Sequence, residues 1–121
     1  MYRLGIIEES LENAKTLDFI KPCFFSQRIE NMPEDVYPIW HINEYHVPDE
    51  KIEEILNVLK EDIKLSWYIH AFSDRQLFVV MREKYFEISL QRDDTWDEMI
   101  QYGIEKAKIE RHFIENIPLE V

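Results

Sequence analysis

Chemistry-bearing side chains crowd one stretch, YPIWHINEYH at residues 37–46, which holds two histidines, two tyrosines, a tryptophan, an asparagine and a glutamate. Histidine titrates near neutral pH, so acid–base work and metal ligation are the first chemistries to test. A zinc site needs three or four His, Cys or carboxylate ligands at closable spacing. His41 and His46 differ in parity, so on a strand they point to opposite sides. The lone cysteine, Cys23, supports neither a thiolate zinc site nor an internal disulfide and reads as a buried apolar thiol. HINEYH lacks the H-E-x-x-H pattern. No metal and no cofactor is expected. Acid–base catalysis is harder to exclude, because His41 or His70 beside Glu87 would make a carboxylate-oriented imidazole. The two glycines, Gly5 and Gly103, are too few for a phosphate loop, and no serine sits in a glycine-flanked nucleophile elbow. The acidic pairs Glu8–Glu9, Glu53–Glu54 and Asp93–Asp94 read as helix surface, caps or loop.

Those side chains depend on the elements that carry them. PDEKIEEILNVLKEDI, residues 48–63, places Ile52, Ile55, Leu56, Leu59 and Ile63 on one helical face, with Asp49 available as a cap. RDDTWDEMIQYGIEKA, residues 92–107, predicts a second helix. Thr95 and Glu98 would form its capping box, and Trp96, Met99, Ile100, Ile104 and Ala107 its buried stripe. The following KIERHFIEN either extends that helix or breaks into a turn. Residues 66–72, 76–82 and 84–90 are rich in aromatic and β-branched types with short links, which predicts an antiparallel meander. Residues 37–47 read as a further strand. Near the start, Leu4, Ile7, Leu11 and Ala14 have helical spacing, while YRLGII also reads as a strand.

The runs MYRLGIIEESL, WHINEYHVPDEKIEEIL, SWYIHAF with LFVVMREKYFEIS, and WDEMIQYG resemble a group of small uncharacterised bacterial and archaeal proteins. The shared motifs are I-I-E-E-S-L, W-Y-x-x-F and V-V-F…K-x-F-x-I strand patterns. The resemblance spans residues 1 to about 103. The group's ending, a glycine, an I-P-E and a terminal aromatic, is not reproduced after Gly103. The motifs are structural rather than catalytic and imply no known activity. They do imply that residues 2–8 and about 18–30 are strands. The expected fold is α+β, one domain over 1–121. It has an antiparallel sheet of five to six strands, two helices on one face, and a split β-α-β (ferredoxin-like) core.

Alternation then sorts the faces. Trp40 and Ile42 oppose His41, Asn43 and Tyr45. Trp67, Ile69 and Ala71 oppose Tyr68, His70 and Phe72. Phe86 and Ile88 oppose Tyr85 and Glu87. Placing the apolar sets beneath the helices gathers His41, Asn43, Tyr45, Tyr68, His70, Tyr85 and Glu87 on a solvated second face, where both histidines would titrate near their ordinary value. Glu44 and His46 fall on the core side by parity and are expected to reach water at the strand end.

Composition limits what such a face could bind. The chain carries 14 Lys and Arg against 25 Asp and Glu, a formal charge of −11. That surface repels nucleic-acid backbones and anionic lipid, so neither is an expected partner. No signal-peptide pattern and no apolar run of membrane-spanning length occurs, which makes the cytoplasm the default. Two readings stay open. One is a non-enzymatic binding or protein-interaction module, or a homodimer, using the aromatic and histidine-bearing face. The other is a small enzyme with a histidine acid/base on that face, acting on a small molecule.

Overall fold

A computed structural model describes residues 1–121. In chain order the elements are β1 (Tyr2–Ile7), a 3-10 turn, α1 (Lys15–Ile20), a second turn, β2 (Phe24–Asn31), β3 (Ile39–Val47), a third turn, α2 (Ile52–Asp62), β4 (Ile69–Phe72), β5 (Leu77–Met81), β6 (Lys84–Ile88), α3 (Trp96–Glu105) and α4 (Arg111–Ile114). The six strands form one antiparallel sheet in the order β2-β3-β1-β4-β5-β6. β1 is antiparallel to both β3 and β4, so those two run parallel, with α2 as their crossover and β1 between them. This is the α+β, split β-α-β arrangement expected from the sequence.

The two long helices lie on opposite faces, not on one. On the first face, Ile52, Ile55, Leu56, Leu59 and Ile63 of α2 and its exit pack over Leu4, Ile6, Ile69, Ala71, Phe78 and Val80. On the second, Trp96, Met99 and Ile100 of α3 pack with Phe72, Leu77, Val79, Met81, Phe86 and Ile88. Burying the five α2 residues contributes on the order of 10 kcal/mol before chain entropy is subtracted. β5 makes both cores possible. All five of its residues, LFVVM, are buried, which is the mark of a strand covered on both sides.

Local departures have local causes. Residues 66–68 are not strand, because Ser66 takes a left-handed φ of 73°. Its N–H donates to the Ala107 carbonyl at 2.7 Å and its hydroxyl to the Lys108 carbonyl at 2.9 Å, tying the β4 entry to the end of α3. Residues 18–20 are the end of α1 rather than strand. The Thr95 capping box does not form. The Asp93 carboxylate instead accepts the Thr95 N–H at 2.9 Å and its hydroxyl, while the Thr95 hydroxyl accepts the Ser89 N–H at 2.9 Å. Ile104 is 38% exposed, because the buried side of α3 passes through Gly103, which faces Ile114. KIERHFIEN breaks from α3 and re-forms as the short α4. Cys23 is half-buried against the first core.

Candidate functional site

α3 and the segment after it as far as Ile117 build their core on the β4-β5-β6 half of the second face, since no residue of β1, β2 or β3 enters that core. Over the other half lies an open groove of about 790 Å³. Register places its floor: Gly5 lies beside Glu44 and His70, Ile7 beside Ile42, Arg28 beside Ile42, and Glu30 beside Trp40. Gly5, Ile7, Ile42 and Trp40 line the groove, with Trp67, Tyr68 and His70 along one side. Trp40 and Trp67 meet edge-on, ring centroids 5.3 Å apart, and Tyr37 packs edge-on against Trp67 at 6.1 Å. The Trp40 indole Nε1 is buried with no hydrogen-bond acceptor. At the Tyr37 end, the Lys64 ammonium donates to the Tyr37 hydroxyl and to the Glu9 carbonyl, each at 3.0 Å.

The C-terminal segment forms a lip on the His70 side. His70 Nε2–H donates to the Glu120 carbonyl at 2.8 Å. A Cβ at Gly5 would lie 3.1 Å from Val121 Cγ1 and 3.3 Å from His70 Cε1, so glycine is what lets this strap close over the sheet. Burial, aided by the Arg3 charge, holds His70 below its ordinary pKa against the opposing Glu120 bond.

The first face carries a separate polar network. His41 Nδ1–H donates to Glu9 Oε2 at 2.6 Å, and the His41 backbone N–H donates to Glu9 Oε1 at 2.7 Å. The Asn43 amide donates to Glu8 Oε2 at 2.8 Å and to the Tyr45 hydroxyl at 2.9 Å, and Gln27 donates to Asn43 Oδ1 at 2.8 Å. The Glu9 bond raises the pKa of His41. Partial burial would raise Glu9, but the two His41 bonds outweigh it and hold that carboxyl low. Burial pushes the Tyr45 hydroxyl up.

The seven candidate residues therefore do not share one face. His41, Asn43, Tyr45, Tyr85 and Glu87 lie on the first face, by the pairings Ile6↔Asn43, Leu4↔Tyr45, Val80↔Tyr85 and Phe78↔Glu87. Tyr68 and His70 lie on the second, with Trp40 and Ile42. The first face is not open: α2 covers much of it, and Asn43 and Tyr45 are each 2% exposed. Neither histidine titrates at its ordinary value. Glu87 pairs with neither histidine. It sits on the edge strand β6, accepts from Gln76, and lies four strand positions from His41 and on the other face from His70. The carboxylate that does orient His41 is Glu9, one of the pair expected to be helix surface, cap or loop. Trp40, expected beneath the helices, is instead half-buried on the groove floor. Glu44 and His46 are half-buried on the second face. Arg3 grips Glu44 through two bonds of 2.9 and 3.1 Å, His46 reaches the same carboxylate at 2.6 Å, and Phe25 stacks on His46 at 3.9 Å. That set is closed on itself.

No three His, Cys, Asp or Glu side chains cluster so as to hold a metal ion. No helix is long and apolar enough to cross a membrane. Comparison with family models, with curated proteins and with solved structures finds no match to this chain.

Proposed function

We propose that the chain is a cytoplasmic, non-enzymatic binding module that holds a small organic ligand in the groove of the second sheet face. The supporting observation is the groove itself, about 790 Å³ in volume, floored by Ile7, Trp40 and Ile42 and walled by Trp67 and Tyr68. That volume lies within the several-hundred-Å³ range of small-molecule sites. Most of the lining is apolar or aromatic, with a few polar groups at the ends, which suits a ligand with a flat apolar body. Arg28 is already paired with Glu30 at 3.0 Å, whereas Lys64 is held by a carbonyl and a phenol and no carboxylate. An anionic group on the ligand complements Lys64. The formal charge of −11 argues against nucleic acid.

The enzyme reading draws less support. His70 borders the groove but pairs with a backbone carbonyl, and burial keeps it neutral. His41 has a carboxylate partner but lies on the opposite face of the sheet.

The test is a titration with anilinonaphthalene sulfonate, a flat aromatic anion, read by its fluorescence and by quenching of Trp40 and Trp67. The folded protein should bind it saturably. Lys64→Gln should weaken binding, and Ile42→Lys should abolish it. Saturable binding unchanged by either substitution, or none at all, would refute the groove as a ligand site.

A further inference from the structure

β2 is an edge strand of eight residues, FFSQRIEN, hydrogen-bonded to β3 on one side only. Every one of its residues is exposed, including Phe24 at 50%, Phe25 at 60% and Ile29 at 60%. Proteins usually blunt such edges with proline, unpaired charge or cover, because a free row of N–H and C=O groups templates another strand. Within Phe24–Asn31 there is no proline, and the only charges, Arg28 and Glu30, neutralise each other at 3.0 Å on the second face.

We infer that this edge pairs with the β2 edge of a second copy of the chain, antiparallel and in a single register centred on Ile29. A two-fold axis normal to the sheet requires opposed residues to share a face, so residue numbers across the junction must sum to an even number. Centring on Arg28 would set arginine against arginine. Centring on Gln27 would set Glu30 against Phe24. Centring on Ile29 sets each Arg28 opposite the other copy's Glu30, twice over, with Ile29 against Ile29 and Gln27 against Asn31. Opposite charges and amides in directly opposed positions stabilise an antiparallel pair, and like charges destabilise it. The limits of this register coincide with features of the chain. The bulge between Phe24 and Ser26 interrupts the strand at Phe25, and the residue that Phe25 would face, Pro33, has no N–H to give.

The junction keeps both second faces on the same side. Arg28 and Glu30 line each groove, so the other copy's Glu30 and Arg28 complete its outer wall, and two troughs lie side by side. The pairing does not depend on what the groove binds, and its test does not use a ligand.

Sedimentation of the full chain at near-physiological ionic strength, where the mutual repulsion of two acidic chains is screened, should find a dimer. Arg28→Glu and Glu30→Arg should each weaken it by at least about tenfold, because two attractive pairs become repulsive. Both side chains are about half exposed in the single chain, so thermal melts at dilutions where wild type is monomeric should be unchanged. Mixing the two single variants should restore a dimer, since each then faces its opposite, and the double exchange should restore it within one chain. A wild-type monomer at every concentration would overturn the pairing. A dimer indifferent to the single variants, or single variants that fail to associate when mixed, would overturn the register.

Discussion

Glu9 holds His41 twice, accepting the imidazole Nδ1–H at 2.6 Å through one oxygen and the backbone N–H at 2.7 Å through the other. The carboxylate fixes both the tautomer of the ring and the strand position that carries it. His70, two strands away and on the other face, has no such partner and is held below its ordinary pKa by burial.

The two histidines should therefore titrate on opposite sides of 6.5. His41, raised, contributes stability that is fully present below the unfolded value and is lost as pH rises through the folded one. His70, lowered, does the reverse: stability falls as pH drops from 6.5 toward its folded value, because the unfolded chain binds the proton first. Imidazole NMR titrations should give His41 the higher midpoint, and Glu9→Gln should move His41 downward while leaving His70 in place. A single shared midpoint would contradict the assignment.

Asn43 is the hub of the first-face network. Asn43→Leu leaves the buried Tyr45 hydroxyl without its partner, while the exposed Gln27 amide keeps Glu8 at 3.2 Å, and should cost about 1–3 kcal/mol in urea melts. Tyr45→Phe removes an acceptor from an amide that still donates to Glu8, so its cost should be smaller, about 0.5–1.5 kcal/mol. If the two costs came in the other order, Asn43 would not be the hub.

Gly103 sits in α3, where an added Cβ would lie 2.4 Å from Ile114 Cδ1 and 3.0 Å from Met81 Cε. Helix propensity favours alanine there by about 1 kcal/mol, but overpacking costs about 1–3 kcal/mol. Gly103→Ala should destabilise by about 1 kcal/mol net. In an Ile114→Val background, which removes the obstructing methyl group, the same change should be neutral or stabilising. A double-mutant cycle reads the difference directly.

The buried Trp40 indole N–H has no acceptor. Trp40→Phe removes that donor while keeping an aromatic ring against Trp67. Its effect on stability should stay within about 1 kcal/mol, and a small gain is consistent with deleting an unsatisfied group. A loss of several kcal/mol would mean the N–H makes a bond in solution.

Alternation within each strand was legible in the sequence, and so were the α2 face and the order of elements from residue 37 onward. What alternation does not supply is the phase between strands. In β3 and β6 the residue sets keep the relative phase expected of them, but the face expected to be open lies under α2. In β4 they are exchanged, because Ile69–Ala71 and Tyr68–Phe72 are both apolar enough to enter a core. The run LFVVM carried the missing signal: five apolar residues without alternation imply a strand covered on both sides, and hence helices on both faces. With that noticed, no open polar face remains to be filled with histidines. The groove was less accessible to such reading. Its members come from β1, β2, β3, β4 with its entry, and the C-terminal strap, and only the strand order brings them together. Glu8 and Glu9 were hidden for the same reason, since a turn after β1 becomes a partner of β3 only when those strands are neighbours.

β1 is the earliest strand in the chain and occupies the centre of the sheet, between β3 and β4. Until it is inserted, residues 39–72 hold only a helix linking two parallel strands with an open slot between them. The N-terminal strand is thus the keystone of an arch whose other stones are laid later. A nascent chain must keep YRLGII from pairing elsewhere while the rest is made, and closing the slot requires contacts spanning up to about seventy residues, made directly beneath α2, a non-local pairing of the kind that slows folding. Prising β1 out would not trim an edge. It would cut one sheet into two pieces, β2-β3 and β4-β5-β6, and would take Gly5 and Ile7 out of the groove floor.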